Sequence, residues 1–247
     1  MTIALTAAAL FVVAVLYASV GHGGASGYLA VLALAGKEPE TIRPLALSLN
    51  VLVSSIALMR FGGRGHFHWN LFWPFAVTAV PCAFLAGWQW TLPPGPYSIL
   101  LALILLFAAW QLALPGSTPK NVSRGAPLRW ALPAGAIIGI LSGLIGVGGG
   151  IFLSPLLILA GWAAPRAAAA ACAAFILVSS LGALAGLTLQ YPMFPITLAD
   201  LLSYGGAVIV GGFLGASLGV SRFNPLVLRR ALAIVLMIAA LKMLLAI

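Results

Sequence analysis

Residues Gly146-Val147-Gly148-Gly149-Gly150 interrupt one long apolar run, and Gly21-His22-Gly23-Gly24 interrupts another at a constant offset of 125 positions. The same offset lays Leu52-Val53-Ser54-Ser55 on Leu177-Val178-Ser179-Ser180, an identical tetrapeptide, and an offset of 129 aligns Phe84-Leu85 with Phe213-Leu214. Matches that recur in order at nearly one offset mark an internal duplication. Neither glycine cluster continues a helix comfortably, because glycine costs about 1 kcal/mol per residue against alanine in a helix interior. The chain therefore reads as two copies of one helical unit, each opening on a helix that breaks.

Outward from the breaks the sequence keeps one character. Of 247 residues, 63% are hydrophobic and 6% are charged, where a soluble globular chain carries about 25% charged residues. Lipid is the solvent this composition needs. A hydrocarbon core of about 30 Å asks for roughly 20 apolar residues per crossing helix. Such stretches run from Ile3 to Val20, Gly27 to Ala35, Thr41 to Phe61, Leu71 to Trp90 and Tyr97 to Leu114. After a polar linker come Trp130 to Ile145, Ile151 to Ala160, Ala167 to Leu189, Leu198 to Val220 and Leu226 to Ile247. Residues 1–114 and 130–247 are accordingly two membrane repeats, with 115–129 as the loop between them. The first run lacks a basic n-region and an A-x-A cleavage site, so it is expected to stay in the mature protein. Cys82 and Cys172 stand singly in apolar segments, without disulfide or zinc spacing, and Cys172 reads as a small buried hydrophobe or a cavity-lining side chain.

Charge decides between two ways of threading these segments. If each glycine-broken segment crosses once, the repeats share an orientation and the cations divide five against six, which orients nothing. If the chain reverses at each cluster, Ile3 to Ala35 and Trp130 to Ala160 become hairpins. Arg60, Arg64, Lys120, Arg124, Arg129, Arg166, Arg222, Arg229 and Arg230 then share one side, with Lys37 and Arg43 opposite beside Glu38 and Glu40. Cytoplasmic loops collect Lys and Arg, so nine against two favours reversal. The expected fold class is an all-α polytopic membrane protein with two inverted four-helix repeats, each opening with a glycine-broken helical hairpin. That architecture is common among secondary transporters, and here both termini would face away from the cytoplasm. The formal charge of +9 does not signal nucleic acid, because the 12 Lys and Arg are scattered singly and form no basic face.

Directly after each break a short helix begins, and its free N–H groups point back into the break with the positive end of the helix dipole behind them. Such an end favours an anion, and glycine lets the backbone approach an oxyanion closely. Gly21, Gly23, Gly24, Gly146, Gly148, Gly149 and Gly150 are therefore candidate substrate-binding residues; the alternative is that they only permit close helix packing. Asn50 lies one turn before Ser54 on the same helix face. Asn50, Ser54, Ser55, Ser179 and Ser180 either line the cavity or bond back to their own helices. His22 is the titratable side chain placed deep in the membrane, where it carries a coupling proton or acts as a neutral donor. Its repeat partner Val147 shows that the duplicated unit does not require it. His66 and His68 sit beside Arg64 and read as solvated, and Asp200 and Lys242 fall near segment ends, where polar groups reach the interface. No acidic side chain falls within an apolar core, which disfavours cationic substrates. Without a nucleophile–base pair, a nucleotide motif or a metal cluster, no catalytic residue, metal or cofactor is expected, and an enzymatic role lacks support.

At these residues the sequence resembles the TauE/SafE family of sulfite-exporter-like permeases. The resemblance spans nearly the whole chain and rests on Gly21-His22-Gly23-Gly24, on Gly143-Leu144-Ile145-Gly146-Val147-Gly148-Gly149-Gly150 followed by Pro155, and on the duplication. The second motif is close to the family's G-x-G-G-G-x-x-x-x-P form. In the first, Ala25 replaces the last glycine and no proline stands at the matching position, so the two halves are expected to bind unequally. The resemblance implies a multi-pass inner-membrane permease or exporter for small sulfur-containing oxyanions such as sulfite or organosulfonates. Its partners would be a small anionic substrate and membrane lipid, without nucleic acid; a coupling proton and a homodimer stay open. A passive anion channel and a non-transporting membrane scaffold are the alternatives.

Overall fold

The computed structural model describes residues 2–19, 24–62, 65–113, 125–191, 196–218 and 225–245. Gly21, His22 and Gly23 lie outside the described residues, as do Arg64, Lys120, Arg124 and Arg222. The first half of the chain holds α1 (Ile3–Ser19), α2 (Ala25–Leu34), α3 (Pro39–Gly62), α4 (Trp69–Gln89) and α5 (Pro94–Ala113). The second half holds α6 (Leu128–Ile145), α7 (Gly150–Leu159), α8 (Pro165–Gln190), α9 (Leu198–Leu218) and α10 (Pro225–Leu245). Long and short helices thus recur in the same order, and the described residues contain no strand. Among them, α3, α4, α5, α6, α8 and the first 18 residues of α9 are long and apolar enough to cross a membrane. The ten-residue helices α2 and α7 are about 15 Å long at 1.5 Å per residue, half the hydrocarbon thickness.

Both short helices fold back on their predecessors. A Cβ placed on Gly27 of α2 would strike Val13 and Tyr17 of α1, so the chain has reversed by that point. Further along, Ala134, Ile138 and Leu141 of α6 face Phe152 and Leu156 of α7 across one apolar groove, so the chain has turned back there too.

The α1 helix packs along α9 and α6 along α4, and glycine lets the backbones touch. Gly135, Gly139 and Gly143 of α6 meet Phe75, Ala79 and Ala83 of α4 in register, so these helices run the same way. Gly182 and Gly186 of α8 likewise meet Val80 and Phe84 of α4. On the other flank, Gly211 and Gly215 of α9 meet Phe11 and Val15 of α1. The α3 helix also runs with α9: Lys37 pairs with Asp200 at 3.6 Å near their starts, and the Arg60 guanidinium lies 4.4 Å over the Phe213 ring near their ends. At the terminus of α10, Lys242 Nζ donates to Leu34 O at 2.9 Å and caps α2.

This interleaving yields two large apolar cores. One joins α1, α2, α3, α5, α9 and α10 around Tyr28, Tyr97 and Tyr204; the other joins α4, α6, α7 and α8 around Phe75 and Phe175. Cys172 packs in the second as a buried side chain, in line with its reading as a small hydrophobe. The seam between the cores runs where α3 packs on α8 and where Arg43 and Asn50 of α3 reach the last carbonyls of α6.

Candidate functional site

The second glycine break lies on that seam. Gly146 ends α6 with φ 88°, Gly148 follows with φ 71°, and Gly149 caps α7 with φ 78°. Each left-handed position costs an L-residue about 1–2 kcal/mol, so three of them in four residues make a turn that only glycine forms cheaply. Gly149 offers no side chain to cap α7, and the first amides of that helix, on Gly150 and Ile151, have no partner within it.

Side chains from two other helices converge on the turn. A Cβ on Gly148 would stand 2.9 Å from Asn50 Nδ2 of α3 and 3.0 Å from Ser180 Oγ of α8. Ser179 Oγ lies 2.9 Å from Gly148 O and 2.7 Å from Phe175 O, sharing its hydrogen between them. The last carbonyls of α6 are met from the first repeat. Arg43 Nη2 donates to Gly143 O at 2.8 Å, Tyr97 Oη to Ile145 O at 3.1 Å, and Asn50 Nδ2 to Gly146 O at 3.4 Å. The turn is thus held by α3, α5 and α8 at once.

Three polar atoms of this group are buried without a hydrogen-bond partner: Asn50 Oδ1, Ser180 Oγ and Arg43 Nε. Asn50 and Ser180 are fully buried, and Arg43 is 4% exposed. An unsatisfied buried donor or acceptor costs about 1–3 kcal/mol, so groups left this way at one turn call for a ligand. The Ser180 hydroxyl, the Arg43 guanidinium, the helix-end amides and the Asn50 Nδ2 can donate to a small oxyanion, whereas the orphaned Asn50 Oδ1 is an acceptor and finds no partner in such an anion. No carboxylate competes with it. The chain has three acids; Glu38 and Glu40 are exposed, and Asp200 pairs with Lys37 and accepts from Thr197 Oγ1 at 3.0 Å.

The remaining candidates have other surroundings. Ser54 Oγ donates to Asn50 O and Ser55 Oγ to Val51 O, both on α3 itself, which is the back-bonded alternative for this pair. Gly149 packs against Ile138 and Phe175, and Gly150 against Ile176. At the first break, Gly24 caps α2 with φ 57° beside the Tyr28 ring, and Tyr17 and Ser26 hydroxyls hydrogen-bond at 2.7 Å. Among the described residues no group of three His, Cys, Asp or Glu is placed to hold a metal.

Arg43 is the functional candidate that sequence reasoning missed. Charge counting uses it only as a topology signal with Lys37, near the start of the Thr41 to Phe61 segment, whereas the structure buries it one turn inside α3. The available signal is its spacing to Asn50: positions seven apart share a helix face, and on α3 that face meets the break.

Comparison with known proteins gives one family and one close relative. Residues 6–243 match the family model described as "Sulfite exporter TauE/SafE". The chain is 38% identical over 242 residues to the "Probable membrane transporter protein y4hK" of Sinorhizobium fredii (strain NBRC 101917 / NGR234), covering 96% of each chain. No solved structure gives a significant match.

Proposed function

Because the chain belongs to the sulfite exporter TauE/SafE family of membrane transporters, we propose that it is a secondary transporter of small sulfur-containing oxyanions across the inner membrane. Sulfite and organosulfonates are the substrates this reading names. One observation carries it: Asn50 Nδ2 and Ser180 Oγ, from helices of opposite repeats, converge on Gly148, where α6 gives way to α7, and the Ser180 hydroxyl there is buried without a hydrogen-bond partner. A desolvated oxyanion at that point replaces its water with amide, hydroxyl and carboxamide donors.

The two repeats, 1–114 and 130–247, are in this reading inverted. Helix neighbours support it. The α1 and α3 helices run with α9, while α6 and α8 run with α4. Since α3 and α4 are successive crossing helices joined by a short loop, they run oppositely. It follows that α1 opposes α6, α3 opposes α8 and α4 opposes α9, so each of these repeat-related pairs is reversed. Arg60, Arg129, Arg166 and Arg230 then share a face, which the positive-inside rule makes cytoplasmic.

Alternating access is proposed to occur along the seam between the two apolar cores. Asn50 lies on α3 between Leu49 and Val53 of the first core, Gly148 follows Val147 of that core, and Ser180 lies on α8, whose Phe175 belongs to the second. Sliding of the α4–α6–α7–α8 body along α3 would present one anion position to either face in turn. Counterflow tests this directly: proteoliposomes preloaded with unlabelled sulfite are expected to accumulate 35S-sulfite transiently. Flux without trans-acceleration would identify a passive channel, and absence of flux a scaffold.

A further inference from the structure

Among the described residues, Arg43 is the buried cation: every other Lys or Arg whose side chain is described is at least partly exposed. A guanidinium taken out of water without a carboxylate is costly, on the order of several kcal/mol, and the three acids of this chain lie elsewhere. The titratable groups facing Arg43 are the phenols of Tyr97 and Tyr191, and no carboxylate is among them. Its Nη2 holds Gly143 O at 2.8 Å, while Nε remains without a partner. Asn50 reaches Gly146 O, three residues further along the same helix end.

Resting on the anion-transport reading above, we propose that Arg43 is the charge anchor of the transported ion, binding two oxygens of a sulfite or sulfonate group through its planar fork beside Asn50. The substrate would then cross the protein with its negative charge compensated by a fixed cation. The guanidinium fork matches two coplanar oxygens, so this anchor favours oxyanions over halides. Capping of α6 does not by itself account for the residue. The cap uses one nitrogen of the guanidinium, and the repeat-related position on α8 is Ala168, fully buried and apolar. The duplicated unit therefore folds without a cation there.

The test compares wild type, Arg43→Lys and Arg43→Gln as purified full-length protein. It measures sulfite affinity, chloride competition and the ligand-free melting temperature. Arg43→Lys keeps the charge and can still cap α6. It is expected to melt like wild type, to lose about tenfold in sulfite affinity and to discriminate less against chloride, because an ammonium lacks the fork. Arg43→Gln is expected to lose about 100-fold. Wild-type affinity and selectivity in Arg43→Lys, with Gly148→Leu unable to bind, would overturn the anchor and leave the transport reading standing. Wild type that binds no sulfur oxyanion at all would overturn both.

Discussion

Gly148→Leu is expected to abolish sulfite binding and counterflow, with a loss of at least about 100-fold in affinity. Two effects add at this position. Its φ of 71° costs an L-residue about 1–2 kcal/mol, and a Cβ there would sit within 3.0 Å of both Asn50 Nδ2 and Ser180 Oγ. Beyond the Cβ, the leucine branches fill the place where the anion would meet those groups. Gly36→Leu separates the two effects. Gly36 has φ 76° with nothing within 4 Å of an added Cβ, so that variant carries the backbone strain alone and is expected to transport sulfite. Binding to purified protein, with melting temperatures alongside, checks both.

The second large effect concerns orientation. In a background with Cys82→Ala and Cys172→Ala, Glu38→Cys is expected to react with a membrane-impermeant maleimide in intact cells. Arg129→Cys and Arg166→Cys are each expected to react only after permeabilisation. The three parent residues are exposed, Glu38 ahead of α3 and Arg129 and Arg166 in the first turns of α6 and α8, so labelling reports the side of the membrane rather than access. Labelling of Arg129→Cys and Arg166→Cys from opposite faces would contradict inverted repeats, because the break at Gly146 to Gly150 lies between them and reversal there returns the chain to the side it left.

Much of the fold was legible because a membrane-spanning helix must be apolar over a fixed length. The segment read as Trp130 to Ile145 is α6 from Leu128 to Ile145, and Ile151 to Ala160 is α7 from Gly150 to Leu159. The breaks were legible because glycine clusters have few other uses inside an apolar run. Helix partners were not. That α1 lies on α9 and α4 on α6 depends on the ridges at Gly211 and Gly215 and at Gly135, Gly139 and Gly143. In the sequence these are scattered glycines whose partner is unspecified.

What was legible is a neighbourhood: the duplication and a shared helix face pointed to Asn50, Gly146, Gly148, Ser179 and Ser180, and the structure places these residues next to one another. For Ser54 and Ser55, the symmetry argument misses the local carbonyls that a mid-helix serine finds at once. Arg43 was hidden by a sound rule: cations near helix ends usually reach water. Here the end of α6 covers the first turns of α3, and its Gly143 carbonyl takes the place of solvent. That contact spans 100 positions in sequence and no local pattern announces it.

Anomalous diffraction from the protein crystallised with selenite, a heavier pyramidal analogue of sulfite, locates the bound anion. A selenium peak is expected at the α6–α7 turn, with oxygens in hydrogen-bond reach of Asn50 Nδ2, Ser180 and the Gly150 amide. A peak confined to the first break or to the groove between α6 and α7, with the second turn intact and unliganded at saturating selenite, would contradict that placement.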